Sequence, residues 1–186
     1  CELDCGFDFY APQSFTDGDR RLMIGWMGMP DADYTNPTVE YGWQHCLTVP
    51  CELRRDGARL LRIPASEINA LRGGRISPER ARVFDMECRT APKGRLAIRG
   101  AAVVEWDEKQ LSLTLIQGGE GRTVRYADVD AVKSLRVLAD TSSLEIFING
   151  GQQVMTTRYY PAPEACGIVL DGAEADIWAM GALQIQ

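Results

Sequence analysis

The run Asp140-Thr141-Ser142-Ser143-Leu144-Glu145-Ile146-Phe147-Ile148-Asn149-Gly150-Gly151 decides the fold. Leu144, Ile146 and Ile148 alternate with Glu145, Phe147 and Asn149. A period of two with one apolar face predicts a half-buried strand. Asn149-Gly150 then supplies the positive φ angles that a tight hairpin needs. The same alternation stands upstream, where Leu111, Leu113 and Leu115 are interleaved with Ser112 and Thr114. Turn signals recur at Pro92-Lys93-Gly94, Gly118-Gly119, Asp140-Thr141-Ser142, Asn149-Gly150-Gly151 and Asp171-Gly172. About seven or eight strands between residues 80 and 186 predict a β-sandwich.

The N-terminal third also reads as strand. Residues 7–10 and 20–27 are β-rich runs around Asp17-Gly18-Asp19, a hairpin pattern with a polar loop. A longer loop covers residues 30–37, and residues 43–54 and 59–63 form a second strand pair around Arg55-Asp56-Gly57. The character changes over residues 64–75, where Pro64, a candidate cap at Ser66 and the terminal Gly73-Gly74 predict a short helix or turn. Residues 64–79 are therefore expected to link one unit, 1–63, to a second, 80–186. The fold class is all-β.

Composition removes several function classes. The net charge of the 186 residues is −6, which repels a phosphate backbone and argues against a nucleic-acid partner. No apolar run approaches the roughly 20 residues that span a bilayer, so no membrane partner is expected. Six cysteines are scattered without a CxxC pair, and His45 is the one histidine. That usage predicts no metal site and reduced thiols in a cytoplasmic setting. A lone histidine without a GxSxG run also argues against a serine hydrolase. The chain opens on Cys1 with no basic segment before an apolar run, as expected of a piece that begins within a longer protein.

Four runs carry a family resemblance. They are Leu3-Asp4-Cys5-Gly6-Phe7-Asp8-Phe9-Tyr10-Ala11-Pro12-Gln13-Ser14-Phe15; Arg21-Leu22-Met23-Ile24-Gly25-Trp26-Met27-Gly28; Tyr41-Gly42-Trp43-Gln44-His45 through Leu47-Thr48-Val49-Pro50 to Glu52-Leu53; and residues 140–151, extended to Thr156-Thr157-Arg158 and Pro161. In this order and spacing they resemble the β-fructofuranosidase family of glycoside hydrolases, which includes invertases, sucrose-6-phosphate hydrolases and fructanases. The resemblance implies that the first three runs are the last part of a five-bladed β-propeller and the fourth belongs to the β-sandwich behind it. It implies a parent enzyme that cleaves a fructoside with retention and without a cofactor. The family's nucleophile lies in Asn-Asp-Pro-Asn-Gly, a second Asp in Arg-Asp-Pro and the acid/base in Glu-Cys-Pro, and this sequence has none of the three. Glu87-Cys88-Arg89 and Arg55-Asp56-Gly57 lack the proline, and Cys51 stands where the family usually has Arg. No catalytic residue is expected in this chain, which implies inactivity alone and a missing N-terminal propeller half as partner.

Candidate substrate contacts remain. A retaining glycosidase needs two carboxyl groups about 5–5.5 Å apart. On an extended strand Asp4 and Asp8 stand about 13 Å apart, at about 3.3 Å per residue, so they are no catalytic pair. By resemblance Asp4 grips the fructosyl hydroxyls, with Asp8 a weaker candidate; the rival reading of both is a turn-capping Asp. Trp26 shares a strand face with Leu22 and Ile24, and by resemblance it borders the sugar pocket, as Tyr10 does more weakly. Core packing is the rival reading of both rings. Trp43 and His45 read as structural. Glu145 either touches the first unit across the boundary or faces water. Arg158 is read as pairing with a carboxylate, an exposed pair adding about 0–1 kcal/mol. Residues 1–63 should expose sheet edges and apolar faces, which predicts self-association or cover by the missing half. The competing function is a non-catalytic carbohydrate-binding or structural sandwich, which would bind fructan through residues 80–186 alone.

Overall fold

The computed structural model describes residues 2–30, 35–118 and 121–183, and these are all-β. The first five strands are β1 (Tyr10–Asp17), β2 (Arg20–Met27), β3 (Cys46–Leu47), β4 (Cys51–Asp56) and β5 (Arg59–Pro64). They form one antiparallel sheet in the order β1-β2-β4-β5, with β3 also on β2. The remaining strands are β6 (Arg72–Arg75), β7 (Phe84–Ile98), β8 (Ala102–Trp106), β9 (Gln110–Leu115), β10 (Val124–Asp128), β11 (Ser134–Ala139), β12 (Ser143–Ile148), β13 (Gln153–Arg158) and β14 (Ile168–Met180). They form a second sheet in the order β10-β9-β8-β7-β11-β12-β13, with β14 lying on β7 and β6 on β14. Single 3-10 turns cover Pro37–Tyr41, Ser66–Leu71 and Pro78–Arg80. No helix among the described residues is long and apolar enough to cross a membrane. Five described cysteines, Cys5, Cys46, Cys51, Cys88 and Cys166, are free thiols.

The second sheet forks at β7. Its first half, Phe84 to Arg89, pairs with β11, while its second half, Gly94 to Ile98, pairs with β8. The two arms enclose one core, in which Leu96, Ile98, Val104, Leu111 and Leu113 meet Leu135, Val137, Leu144 and Ile146. Each such aliphatic side chain contributes about 1.5–3 kcal/mol by leaving water. Two expected turns prove to be the bend that makes the fork. Pro92-Lys93-Gly94 lies inside β7, and Asp171-Gly172 is a bulge inside β14, where Asp171 faces Arg95 and Ala173 already faces Thr90. Gly94 packs so closely on the Trp106 indole that a Cβ there would sit 2.1 Å from it. A pair of strands bends here because its residues carry turn chemistry while its ladder continues on both sides.

The tight turns at Asp17-Gly18-Asp19, Arg55-Asp56-Gly57, Asp140-Thr141-Ser142 and Asn149-Gly150 fall where expected. Asn149 and Gly150 take φ of +50° and +69°, and the Asn149 carboxamide accepts from the backbone N–H of Lys133. Residues 31–34 of the expected loop, and Gly119, lie outside the described residues. The strand limits shift elsewhere. Residues 7–9 are not strand; the first strand begins at Tyr10 and continues to the turn. The expected strand over 43–54 is broken between β3 and β4. Ser66 opens a 3-10 turn but makes no cap bond, and Gly73-Gly74 lies within β6 instead of ending the segment. Arg72 of β6 reaches the fully buried Asp85 at 2.6 Å, and Arg136 meets the same carboxylate at 2.7 Å.

The largest departure concerns β12. Its alternation predicted one wet face, yet Leu144 through Ile148 are all buried. The face opposite Leu144 and Ile146 packs against the first sheet, where Leu138, Phe147 and Val154 meet Cys51, Val49 and Ile68. Glu145 is therefore at a sheet–sheet junction and not in water.

Candidate functional site

Residues 4–8 run along the free edge of β13. Cys5 N–H donates to Val154 O at 2.8 Å, and the N–H groups of Phe7 and Asp8 donate to Thr156 O at 3.0 and 3.1 Å. The chain bends over residues 6–8 and does not extend as expected, and Gly6 lies so close to β13 that a Cβ there would be 2.1 Å from Thr156 O. The edge of the second sheet is thereby covered by the segment that leads into the first.

Asp4 and Asp8 fix this strap. Asp4 Oδ1 accepts from the N–H of Gly6 at 2.8 Å and of Thr156 at 2.9 Å. Its Oδ2 lies 2.7 Å from Arg62, both side chains being buried. Asp8 is fully buried and takes a two-pronged bond from Arg122, at 2.6 and 2.7 Å. The Thr157 hydroxyl donates to it at 3.0 Å and Arg158 N–H at 2.7 Å. The fork of a guanidinium matches a carboxylate, and both prongs are used here. Both carboxylates of the expected sugar grip are thus engaged inside the chain, at the junction with β13.

Three arginines complete the junction. Arg62 donates to the Thr156 hydroxyl at 2.8 Å, with its guanidinium 4.4 Å from the Phe9 ring centre. Arg122 follows Asp8 as described. Arg158 differs from expectation: it is only 1% exposed, and among the described residues its guanidinium makes no ion pair with a carboxylate. Its guanidinium instead donates to Ser142 O at 2.9 Å, Ser142 Oγ at 3.1 Å and Gln44 O at 2.9 Å. The rings of Trp43 and Tyr160 flank it at 5.0 and 5.4 Å. Nothing near Asp4 or Asp8 in sequence announces Arg62 or Arg122, the second of which is 114 residues from its partner. Burial pushes the Tyr160 hydroxyl up to about 12 and the Cys51 thiol up to about 12, so neither ionises near neutrality.

The structure brings Tyr10 and Trp26 together. They are cross-strand partners on β1 and β2, with ring centres 6.0 Å apart and edge to face. On its other side Trp26 meets His45 edge to face at 4.7 Å. Gly28 leaves room for the indole, since a Cβ there would be 2.6 Å from it. Tyr10 is 46% exposed and Trp26 half-buried, so the pair presents aromatic surface to solvent. Trp43, read as structural, is 43% exposed and flanks Arg158. A half-exposed indole with a polar edge suits the C–H face of a sugar.

Comparison with known proteins places this arrangement. The sequence profile of the Glycosyl hydrolases family 32 N-terminal domain matches residues 1–64, and that of the Glycosyl hydrolases family 32 C terminal matches residues 103–179. The chain belongs to glycosyl hydrolase family 32, the β-fructofuranosidase family. Among curated relatives, the sucrose-6-phosphate hydrolase of Bacillus subtilis (strain 168) is 33% identical over 183 residues, covering 87% of this chain and 38% of that protein. The sucrose-6-phosphate hydrolase of Salmonella typhimurium is 39% identical over 170 residues, covering 87% of this chain and 36% of that protein. The solved sucrose-6-phosphate hydrolase of Lactobacillus gasseri superposes with a TM-score of 0.85 at 25% identity, over 96% of this chain and 42% of that one. The family 32 beta-fructofuranosidase of Bombyx mori superposes at 0.83 and 23% identity, over 97% and 42%, a likeness of fold. This family 32 chain thus spans well under half the length of these relatives. Both profiles cover residues on either side of the Asp4, Asp8 and Glu145 contacts, so the junction joins the family's two matched regions.

Proposed function

We propose that this chain supplies the terminal propeller blade, part of the sugar pocket and the β-sandwich of a retaining glycoside hydrolase that cleaves sucrose, sucrose 6-phosphate or fructans at the β-fructofuranosyl bond. The observation that carries the reading is the Tyr10–Trp26 pair, solvent-facing and seated on the family 32 N-terminal match. The relatives named sucrose-6-phosphate hydrolase favour the phosphorylated disaccharide. Bond breaking requires two facing carboxyl groups. Asp4 and Asp8 are locked to Arg62 and Arg122, and Glu145 is buried in the junction, so none is free to act as acid or nucleophile. The reacting pair is assigned to the part of the enzyme preceding Leu3, and the chain alone is expected to be inactive. The sugar contacts are assigned to Trp26 and Tyr10, while Asp4 and Asp8 act by anchoring the strap that ends at Tyr10.

The first sheet also needs cover. All eight residues of β1 are exposed, among them Tyr10 and Phe15, and β1 is an edge strand. The preceding blades of the same enzyme are its proposed partner, and in their absence self-association of the chain takes their place. An independent carbohydrate-binding sandwich is the weaker reading, because the outer face of β12 is covered by the first sheet.

Trp26→Ala tests the assignment in the longer enzyme that carries this sequence. Removing the stacking face should cost about 1–1.5 kcal/mol of sugar recognition, roughly tenfold in kcat/KM for sucrose 6-phosphate. Steady-state kinetics checks this, and an unchanged kcat/KM removes Trp26 from the pocket.

A further inference from the structure

Glu145 is a buried carboxylate that the anchoring of the strap does not use. It stands on β12, 3% exposed, and faces the first sheet. Its Oε1 accepts from the backbone N–H of Val49 at 2.8 Å, and its Oε2 has no hydrogen-bond partner. Val49 follows Thr48, and Thr48 holds Gly25 from both sides. Thr48 N–H donates to Gly25 O at 2.9 Å, and the Thr48 hydroxyl accepts from Gly25 N–H at 3.0 Å. The same hydroxyl donates to Val49 O at 3.1 Å. Gly25 precedes Trp26 in β2, Leu47 pairs with Trp26 in the ladder, and His45 lies against its ring. One chain of contacts therefore runs from the second sheet through Glu145, Val49, Thr48 and Gly25 to the indole.

We propose that Glu145 is a positioning residue, which reaches across the sheet–sheet junction and through Val49 and Thr48 sets the place of Trp26. The inference rests on the reading of Trp26 as a sugar-facing residue, but its test needs no sugar. Glu145 makes no contact with the reacting atoms. Its role is to accept a bond that fixes the segment behind the indole, in a place where an isolated carboxylate is poorly solvated.

The groups that face it make the contact sensitive to protonation. Arg62 of β5 attracts its charge, Asp4 of the strap repels it, and the thiols of Cys51 on β4 and Cys46 on β3 feel it. Asp140, in the turn before β12, faces Cys46 as well. Burial dominates and holds the Glu145 carboxyl up to about 7, against the pull of the Val49 N–H and Arg62. An acid whose folded value lies above its unfolded one destabilises the fold as pH rises. The loss begins as the unfolded chain ionises near 4.5, grows up to about 7 and is constant above that.

Amide hydrogen exchange on the chain, with Glu145→Ala and Glu145→Gln, tests the proposal. In Glu145→Ala the Val49 and Gly25 amides should exchange more than tenfold faster than in the parent, while the Leu113 amide in the second-sheet core changes far less. Glu145→Gln keeps an acceptor oxygen and should restore Val49 and Gly25 protection to within about threefold. It should also flatten the fall in stability between pH 4.5 and 7, followed by denaturant unfolding. Unchanged Val49 and Gly25 exchange in Glu145→Ala overturns the proposal. So does an acceleration equal to that at Leu113, which is general loosening, or failure of Glu145→Gln to restore protection. Loss of sugar recognition plays no part in these readings, so they stand apart from any failure of the fructoside assignment.

Discussion

Asp8→Ala is expected to lower the unfolding free energy of the chain by about 3–5 kcal/mol, the loss typical when one member of a buried ion pair is removed. The reason is what stays behind. Arg122 is buried and gives both prongs of its guanidinium to Asp8. Without the carboxylate the two guanidinium prongs and the Arg158 N–H lose the acceptor that Asp8 gives them, while the Thr157 hydroxyl turns to Arg158 O at 2.9 Å. Arg122 would retain its bond to Arg158 O at 3.0 Å. Asp8→Asn keeps the shape but not the charge, and should recover only a part of the loss. The double variant Asp8→Ala, Arg122→Met should be more stable than Asp8→Ala alone, because the buried cation that had lost the Asp8 carboxylate is removed with it. Urea unfolding of the four proteins checks this. A cost below about 1 kcal/mol for Asp8→Ala, the range of an exposed pair, would show that the strap is not anchored in this way.

Arg158→Ala is expected to cost a similar amount, about 3–4 kcal/mol. Hydrogen bonds from a charged donor contribute about 1.5–3 kcal/mol each, and they add imperfectly when they share one side chain. Three such bonds converge on Arg158, two to Ser142 and one to Gln44 O. Losing the side chain also empties the space between the Trp43 and Tyr160 rings. The loss should be local as well as global. Gln44 is next to His45, so Arg158 ties the β11–β12 turn to the segment that edges Trp26. Arg158→Lys should rescue little, since one ammonium does not reach three acceptors held in a planar fork. Thermal unfolding measures the cost, and a change under about 1 kcal/mol, or full rescue by lysine, contradicts the assignment.

The fold was legible where turn chemistry and alternation agree. Asn149-Gly150 and the alternating leucines of β9 read correctly because their preferences are local and their partners adjacent in sequence. Pro92-Lys93-Gly94 and Asp171-Gly172 read as turns because those residues favour turns. What makes them a paired bend is Trp106 against Gly94 and Lys93 O 2.3 Å from where a Gly172 Cβ would lie, contacts set by tertiary packing. The buried outer face of β12 is set by packing of the same kind. The sequence left Glu145 between contact with the first unit and water, and the first sheet decides it by covering that face.

The site divides along the same line. Tyr10 and Trp26 were read from the family-like runs as candidate sugar contacts, and they come together as a cross-strand pair. Asp4 and Asp8 stood in the same run and by resemblance read as sugar ligands, with a turn-capping Asp as the rival reading, and Asp4 does accept from Gly6 N–H. Their occupants are two arginines remote in sequence, which no spacing rule connects to them. Arg158 was read as a partner for a carboxylate, yet it is almost wholly enclosed and its guanidinium is held by carbonyl and hydroxyl oxygens. Polar residues that lock two sheets together carry the same local signature as polar residues that face water or a ligand.

The account is tested most directly by incubating the purified chain with sucrose 6-phosphate and with sucrose and measuring the hexose released. The reading of an aromatic sugar wall and sandwich without the bond-breaking carboxyl pair predicts no turnover above the buffer blank, and turnover once the preceding part of the enzyme is supplied. Sustained release of fructose product by the chain alone, abolished by Asp4→Asn or Asp8→Asn in a protein that still folds, would contradict it.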